Sequence, residues 1–157
     1  MKNGKKLFYV VLDNIRSLEN IGSIFRTADA LAVDKIFLCG ISGHPPNDKI
    51  SKTALGAEKT VPFEYCPQTW RILEKLKKEK FQIAALEQDK KSVLYTKFKP
   101  EFPLALIAGN EVNGLSKKIL NKSDRIIYLP MLGKKESLNV SVAFGIAGYH
   151  INKKRGS

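Results

Sequence analysis

Three polar stretches, each set where an apolar run meets a loop or helix, hold the side chains of this chain that could do chemistry. Asn20-Ile21-Gly22-Ser23-Ile24-Phe25-Arg26-Thr27-Ala28 offers an amide and a guanidinium, and a guanidinium suits phosphate or ribose-phosphate recognition. Ala108-Gly109-Asn110-Glu111-Val112-Asn113-Gly114-Leu115-Ser116 sets a carboxylate between two glycines that let a ligand approach the backbone closely. Pro130-Met131-Leu132-Gly133-Lys134-Lys135-Glu136-Ser137-Leu138-Asn139-Val140-Ser141-Val142-Ala143 is a sharply turning polar loop between two apolar elements.

The second stretch tests a nucleotide reading and fails it. Gly109 to Ser116 follows a strand pattern and precedes a helix pattern, the context of a phosphate-binding loop, but Leu115 stands where G-x-x-x-x-G-K-[ST] requires lysine. Glu111 adds negative charge inside the same loop, and no G-x-G-x-x-G fingerprint occurs anywhere in the chain. The ligand that suits these loops is therefore less anionic and is read by backbone groups. S-adenosylmethionine meets that description: its sulfonium is cationic, and its adenine needs an apolar slot that Leu129, Met131 and Leu138 are able to line. From pattern alone a purely structural job as core and turn is the favoured reading of the same residues.

These stretches must be held by a scaffold, and the hydrophobic periodicity describes one. Apolar runs at Leu7 to Leu12, Ile36 to Cys39, Val61 to Tyr65, Ile83 to Leu86, Leu104 to Ala108 and Ile126 to Leu129 read as strands. Helical patterns alternate with them at Ile21 to Ala32, Gln68 to Lys80, Ser116 to Lys122 and Asn139 to Lys153, with Asn20, Ser116 and Asn139 as expected caps. The alternation implies an α/β fold, a mostly parallel sheet with helices on both faces. In such sheets ligands bind at the carboxyl ends of the strands, where the polar stretches fall. Ile41 to Lys52, with Gly43, Pro45, Pro46 and Asn47, reads as a long irregular loop that faces substrate.

Charge narrows the partner. The 157 residues carry 27 basic and 15 acidic side chains, a net +12, and lysines and arginines near phosphates bind with counterion release. Nucleic acid is the leading polyanion, although Lys75, Lys77, Lys78 and Lys80 also fit a solvated helix face. Cys39 and Cys66 read as core thiols, and neither His44 nor His150 has the spacing to complete a zinc pattern with them. No metal is required. The first apolar run is too short for a signal segment and none approaches membrane-spanning length, so the expected location is the cytoplasm.

In order, and over nearly the whole chain, the three stretches resemble the signature motifs of the SpoU (TrmH) ribose methyltransferases, a branch of the knotted SPOUT class. The resemblance implies a C-terminal deep trefoil knot, which no periodicity argument would predict. It also implies a single SpoU-type domain over residues 1–157, with no separate RNA-binding domain. The implied activity is transfer of a methyl group from S-adenosylmethionine to a ribose 2′-hydroxyl of tRNA or rRNA, with no DNA expected as partner. By the same resemblance the cofactor is held at Leu86, Ala108, Gly109, Leu129, Pro130, Met131, Ser137 and Leu138. Asn20, Arg26, Glu111, Ser137 and Asn139 match the family's polar site residues, Arg26 orienting the ribose-phosphate first and accepting a proton second. Asn20 reads as well as an N-cap, and Ser137 and Asn139 as a turn and a cap. The last helix, with Gly145 and Gly148 in its interior, is expected to form a homodimer interface across which sites borrow residues. Substrate reading then falls to the basic surface, the Ile41 to Lys52 loop and the tail Lys153-Lys154-Arg155. The alternative is a non-catalytic RNA-binding protein or chaperone on the same fold, against which the intact polar residues speak.

Overall fold

The computed structural model describes residues 4–156. Seven strands form one sheet: β1 (Phe8–Asp13), β2 (Lys35–Cys39), β3 (Phe63–Cys66), β4 (Gln82–Leu86), β5 (Val93–Leu94), β6 (Leu104–Ala108) and β7 (Arg125–Tyr128). Their spatial order is β3-β2-β1-β6-β4-β7-β5, and every neighbouring pair is parallel. The expected α/β class follows directly. Central strands covered on both faces carry apolar side chains at nearly every position. In β6 all five residues are buried, and in β1 only Tyr9 is not.

Five helices cover the two faces: α1 (Leu18–Ala30), α2 (Asp48–Ala54), α3 (Thr69–Lys78), α4 (Lys117–Asn121) and α5 (Val140–Arg155). The alternation of β1 shows the two layers. Val10 and Leu12 pack with Ile24, Phe25, Ile50 and Phe144 from α1, α2 and α5, while Val11 packs with Ile72, Leu73 and Ile119 from α3 and α4.

Four expectations need correction. Ile41 to Lys52 is not irregular throughout: Asn47 caps α2, its Oδ1 accepting from the Lys49 N–H at 2.9 Å and the Ile50 N–H at 3.3 Å. Ile50 and Ala54 are buried, so the helical half of this segment is anchored on the core, while Ile41, His44, Pro46 and Lys49 stay exposed. The first helix begins earlier than its apolar pattern, and its N-cap is Ser17, whose Oγ accepts from the Asn20 N–H at 3.1 Å. Ser17 and Glu19 are the cap and acidic first turn that a helix start calls for. Asn20 is thereby released for another task. The tail also differs, because Arg155 is a clamp: it pairs with Asp34 at 2.7 Å and donates to the carbonyls of Lys6 and Leu31. Cys66, finally, is only half-buried, although Cys39 beside it in register is a core thiol whose burial pushes its pKa up to about 12.

Gly22 explains how α1 and α2 lie so close. A Cβ there would collide with the Thr53 hydroxyl and the Ile50 carbonyl, while the Thr53 hydroxyl donates to the Glu19 carbonyl at 2.9 Å. This packing holds the start of α1 at the carboxyl edge of the sheet.

Candidate functional site

The carboxyl ends of β4, β6 and β7 release three loops, and between them lies a cavity of about 700 Å³. Its size falls within the range of small-molecule and cofactor sites. Leu86, Ala108, Gly109, Leu129, Met131, Ser137 and Leu138 all line it, so the structure gathers seven of the eight residues expected to hold a cofactor. Pro130 is the exception, being exposed and outside the lining.

Hydrogen bonds fix the loops after β4 and β6, and hold the loop after β7 at its ends, Leu129 and Asn139. After β6, Asn110 makes an Asx turn, its Oδ1 accepting from the N–H groups of Val112 and Asn113 at 2.9 Å, and its Nδ2 donates to the Asn14 carbonyl at 2.7 Å. Gly114 has a φ of +64°, and a Cβ there would strike the Glu87 carboxylate. At Gly109 a Cβ would lie 2.7 Å from the Leu115 side chain. The glycines therefore serve the closure of the loop itself. Leu115, in the position where a phosphate-binding loop would carry lysine, is buried among Ile83, Ile107 and Ile119.

Glu87, at the end of β4, accepts from the Leu115 N–H at 2.9 Å, and Gln88 donates to the Leu129 carbonyl at 3.3 Å. Both line the cavity, and neither was anticipated. Their signal was positional: they directly follow the strand pattern Ile83 to Leu86, at the sheet edge where ligands bind. Tyr128, Lys134, Lys135, Val140 and Ala143 complete much of the wall.

Polar groups from all three sequence stretches meet beside this cavity. Glu111 accepts from the Arg16 N–H at 3.1 Å and the Ser17 N–H at 2.9 Å, which ties the β6 loop to the start of α1. Burial raises the Glu111 pKa, but the hydrogen bonds from Ser17, its own backbone and Arg16, together with one from Asn20, outweigh it and leave the carboxyl below its ordinary value. Asn20 in turn accepts from Asn139 Nδ2 at 3.0 Å, and Asn139 Oδ1 caps α5 by accepting from Ser141 and Val142. Asn139 is both the cap of α5 and the partner of Asn20, and Asn20 is a link rather than a cap.

Arg26 stands apart. It is exposed on α1 and does not line the cavity of its own chain. The same helix contributes Ser23 and Thr27 to a shallow groove of about 500 Å³, whose other wall is Ser141, Val142, Gly145, Ile146 and Tyr149 of α5.

Replacing Glu111 by alanine removes the acceptor for two backbone N–H groups before α1. Loss of such an acceptor costs about 1 kcal/mol, and urea denaturation of the variant is expected to read that loss at neutral pH. The sign with pH follows from the lowered pKa: the stabilisation is complete above the unfolded carboxyl pKa and fades as pH falls through the folded one. The difference between wild type and Glu111→Ala therefore shrinks in acid.

Known proteins share this fold. A TrmH family tRNA/rRNA methyltransferase of Staphylococcus haemolyticus, so classed by its name, is 32% identical over 146 residues, covering 93% of this chain and 58% of the relative. Its counterpart in Bacillus subtilis is 31% identical over 148 residues, 94% of this chain and 59% of the relative. The chain thus spans about six-tenths of the length of these curated relatives. Among solved structures, an rRNA methyltransferase from Sinorhizobium meliloti with AdoMet bound superposes with a TM-score of 0.89 at 27% identity, covering 95% of this chain and 57% of that one. A TrmH/SpoU tRNA modifying enzyme of A. aeolicus gives 0.87 at 32% identity, with 97% and 77% covered. The model of the SpoU rRNA methylase family matches residues 7–149, nearly the whole chain, and with the motif residues gathered as described the chain belongs to that family.

Proposed function

We propose that this chain is an S-adenosylmethionine-dependent RNA methyltransferase that modifies a ribose 2′-hydroxyl of tRNA or rRNA. The observation that carries the reading is the cavity at the carboxyl edge, walled by loops from β4, β6 and β7 and joined to α1 through Glu111, Asn20 and Asn139. Its lining suits the proposed cofactor. Leu86, Ala108, Leu129 and Met131 offer an apolar slot, and among the charged lining residues Glu87, Glu111 and Glu136 outnumber Lys134 and Lys135, which leaves the wall slightly acidic for a sulfonium. Bound there, S-adenosylmethionine supplies an electrophilic methyl group. Ser137 and Leu138 also line the slot, and the hydrogen bonds of the β4 and β6 loops set two of its walls in advance of the acceptor.

Methyl transfer needs the ribose oxygen held in line with the leaving sulfur. Arg26 takes that part by gripping the ribose-phosphate; a guanidinium is a poor general base, so orientation is its main contribution. Because Arg26 lies outside its own chain's cavity, the reading pairs it with the site of a second copy. Support comes from the α5 face, where Val142, Ile146 and Tyr149 are 49%, 40% and 58% exposed beside the α1 wall of the groove. A homodimer through α5 covers these apolar groups and brings each Arg26 towards its partner. The same reading takes residues 1–157 as one methyltransferase domain and the C-terminal segment as threaded into a trefoil knot. Its support is a strand order that inserts β6 between β1 and β4. No described helix is long and apolar enough to cross a membrane, and the cytoplasm, where tRNA and rRNA are found in bacteria, is the proposed location.

The test is incubation with S-adenosylmethionine and unfractionated bacterial tRNA and rRNA, followed by mapping of ribose methylation. A new 2′-O-methyl nucleotide is the expected product. A methylated base, or saturable RNA binding with no calorimetric response to S-adenosylmethionine, would refute it; the second result would favour the non-catalytic RNA binder.

A further inference from the structure

Half of the chain's net charge of +12 comes from two short segments: residues 70–80 and 117–125 carry nine basic side chains against three acidic ones. The fold brings them to one face. Helix α3 buries Ile72, Leu73 and Leu76, and α4 buries Ile119, in the same core layer, and Lys122 Nζ meets Glu74 Oε1 at 3.4 Å between the two helices. Lys77 reaches Asp124 at 3.9 Å, and the other seven basic groups of these segments form no salt bridge among the described residues. Uncompensated charge of one sign on one face raises the local concentration of a polyanion.

Where the first turns of α3 and α4 meet stands Trp70, the chain's single tryptophan, half-exposed. Arg71 Cζ lies 5.4 Å and Lys118 Nζ 5.3 Å from its ring. An indole with two cations over its ring is a composite surface: as those long, mobile side chains swing from the ring to the phosphates flanking an unpaired base, the ring face accepts that base by stacking. Its position relative to the cavity follows from the chain. Helix α4 begins three residues after Gly114, which lines the cavity, and α3 begins three residues after the carboxyl end of β3. Both first turns therefore sit at the same sheet edge as the cavity.

We propose that Trp70, Arg71 and Lys118 form a stacking platform for an unpaired nucleotide of the RNA substrate, outside the cavity that receives the methylated ribose, with Lys117 and Lys75 as further phosphate contacts. The proposal rests on the reading of RNA as substrate and adds the requirement that this RNA be single-stranded or looped where it crosses α3 and α4. Paired bases are already stacked within their helix and leave the indole no free face to meet. A lipid surface fits less well, because none of the exposed large apolar residues lies on α3 or α4. An acidic protein would match the charge but gives no reason for an indole beneath the cations.

The single tryptophan makes the test direct. Unfractionated tRNA and a short oligouridylate, each carrying a fluorophore for anisotropy, are titrated into the full chain while tryptophan emission is followed. Saturable quenching that parallels anisotropy is expected with both probes. Trp70→Ala should weaken oligouridylate binding by about tenfold, the scale of one stacked base, with Trp70→Phe between it and wild type. Arg71→Glu with Lys118→Glu should flatten the salt dependence by about one to two units of slope, because two phosphate contacts are lost. If Trp70→Ala fails to fold, wild-type quenching and the surface charge variant still decide. RNA that binds with tryptophan emission unchanged, and with the charge variant equal to wild type, overturns the platform and leaves RNA as substrate. RNA that does not bind at all removes both. Equal quenching by polyglutamate of matched length would also overturn it, since charge alone would then account for the signal.

Discussion

Arg26→Ala will leave S-adenosylmethionine affinity nearly unchanged while methyl transfer to RNA falls by about 10²- to 10³-fold, the loss seen when one preorganised donor to the reacting centre is removed. The separation of the two effects follows from where the residue stands. None of the cavity wall is contributed by Arg26, so the pocket for the cofactor is untouched by the change. The side chain is exposed on α1, and its truncation opens no cavity in the core, so the fold should survive. What disappears is a planar, permanently charged fork able to hold a phosphate and a sugar in one orientation. Lysine at this position keeps the charge without the fork, and Arg26→Lys should recover only part of the rate. Calorimetry with S-adenosylmethionine and single-turnover methylation of tRNA are the paired measurements. A parallel loss of cofactor binding would contradict this separation and place Arg26 in the pocket.

The legible parts of this site were those whose physics is local. Strand runs such as Leu104 to Ala108 are apolar at every position because both faces are covered, and that pattern survives reading in one dimension. Asn139 was readable as a cap from its place before a helical repeat, and Leu115 excluded a triphosphate site by residue type alone. The resemblance carried the assignment of the third loop. Tertiary partners were not legible. Nothing near Glu87 announces that its carboxylate receives the Leu115 N–H from a loop 28 residues away, and Glu111 reaches Ser17 across 94 residues. The same limit explains the missed helix α2, since Gly43, Pro45 and Pro46 suggest a loop whereas burial of Ile50 and Ala54 against α1 decides for a helix. Asn20 shows the two scales competing: its local pattern says cap, its tertiary partner Asn139 says link, and Ser17 being available three residues earlier settles it.

Mixing two inactive variants should restore activity, and this is the strongest consequence of an arginine that serves its partner's site. One variant is Arg26→Ala; the other is Leu138→Trp, which fills the mouth of the cavity at a residue already 39% exposed and so avoids the core. In a two-fold symmetric dimer each site would join the cavity of one chain to Arg26 of the other. A mixed dimer then holds one site with both parts intact, namely the cavity of the Arg26→Ala chain and the arginine of the Leu138→Trp chain. With equal amounts and free exchange, half the dimers are mixed and each has one working site of two, so about a quarter of wild-type activity returns. If Arg26 served its own cavity, the mixed dimer would hold no complete site and the rate would stay at background. Ile146→Arg combined with Val142→Arg sets the control, because burying like, unpaired charges in the α5 face opposes association at a cost of several kcal/mol. The doubly substituted chain should sediment as a monomer, bind S-adenosylmethionine, and methylate nothing, since a monomer retains its cavity but receives no arginine.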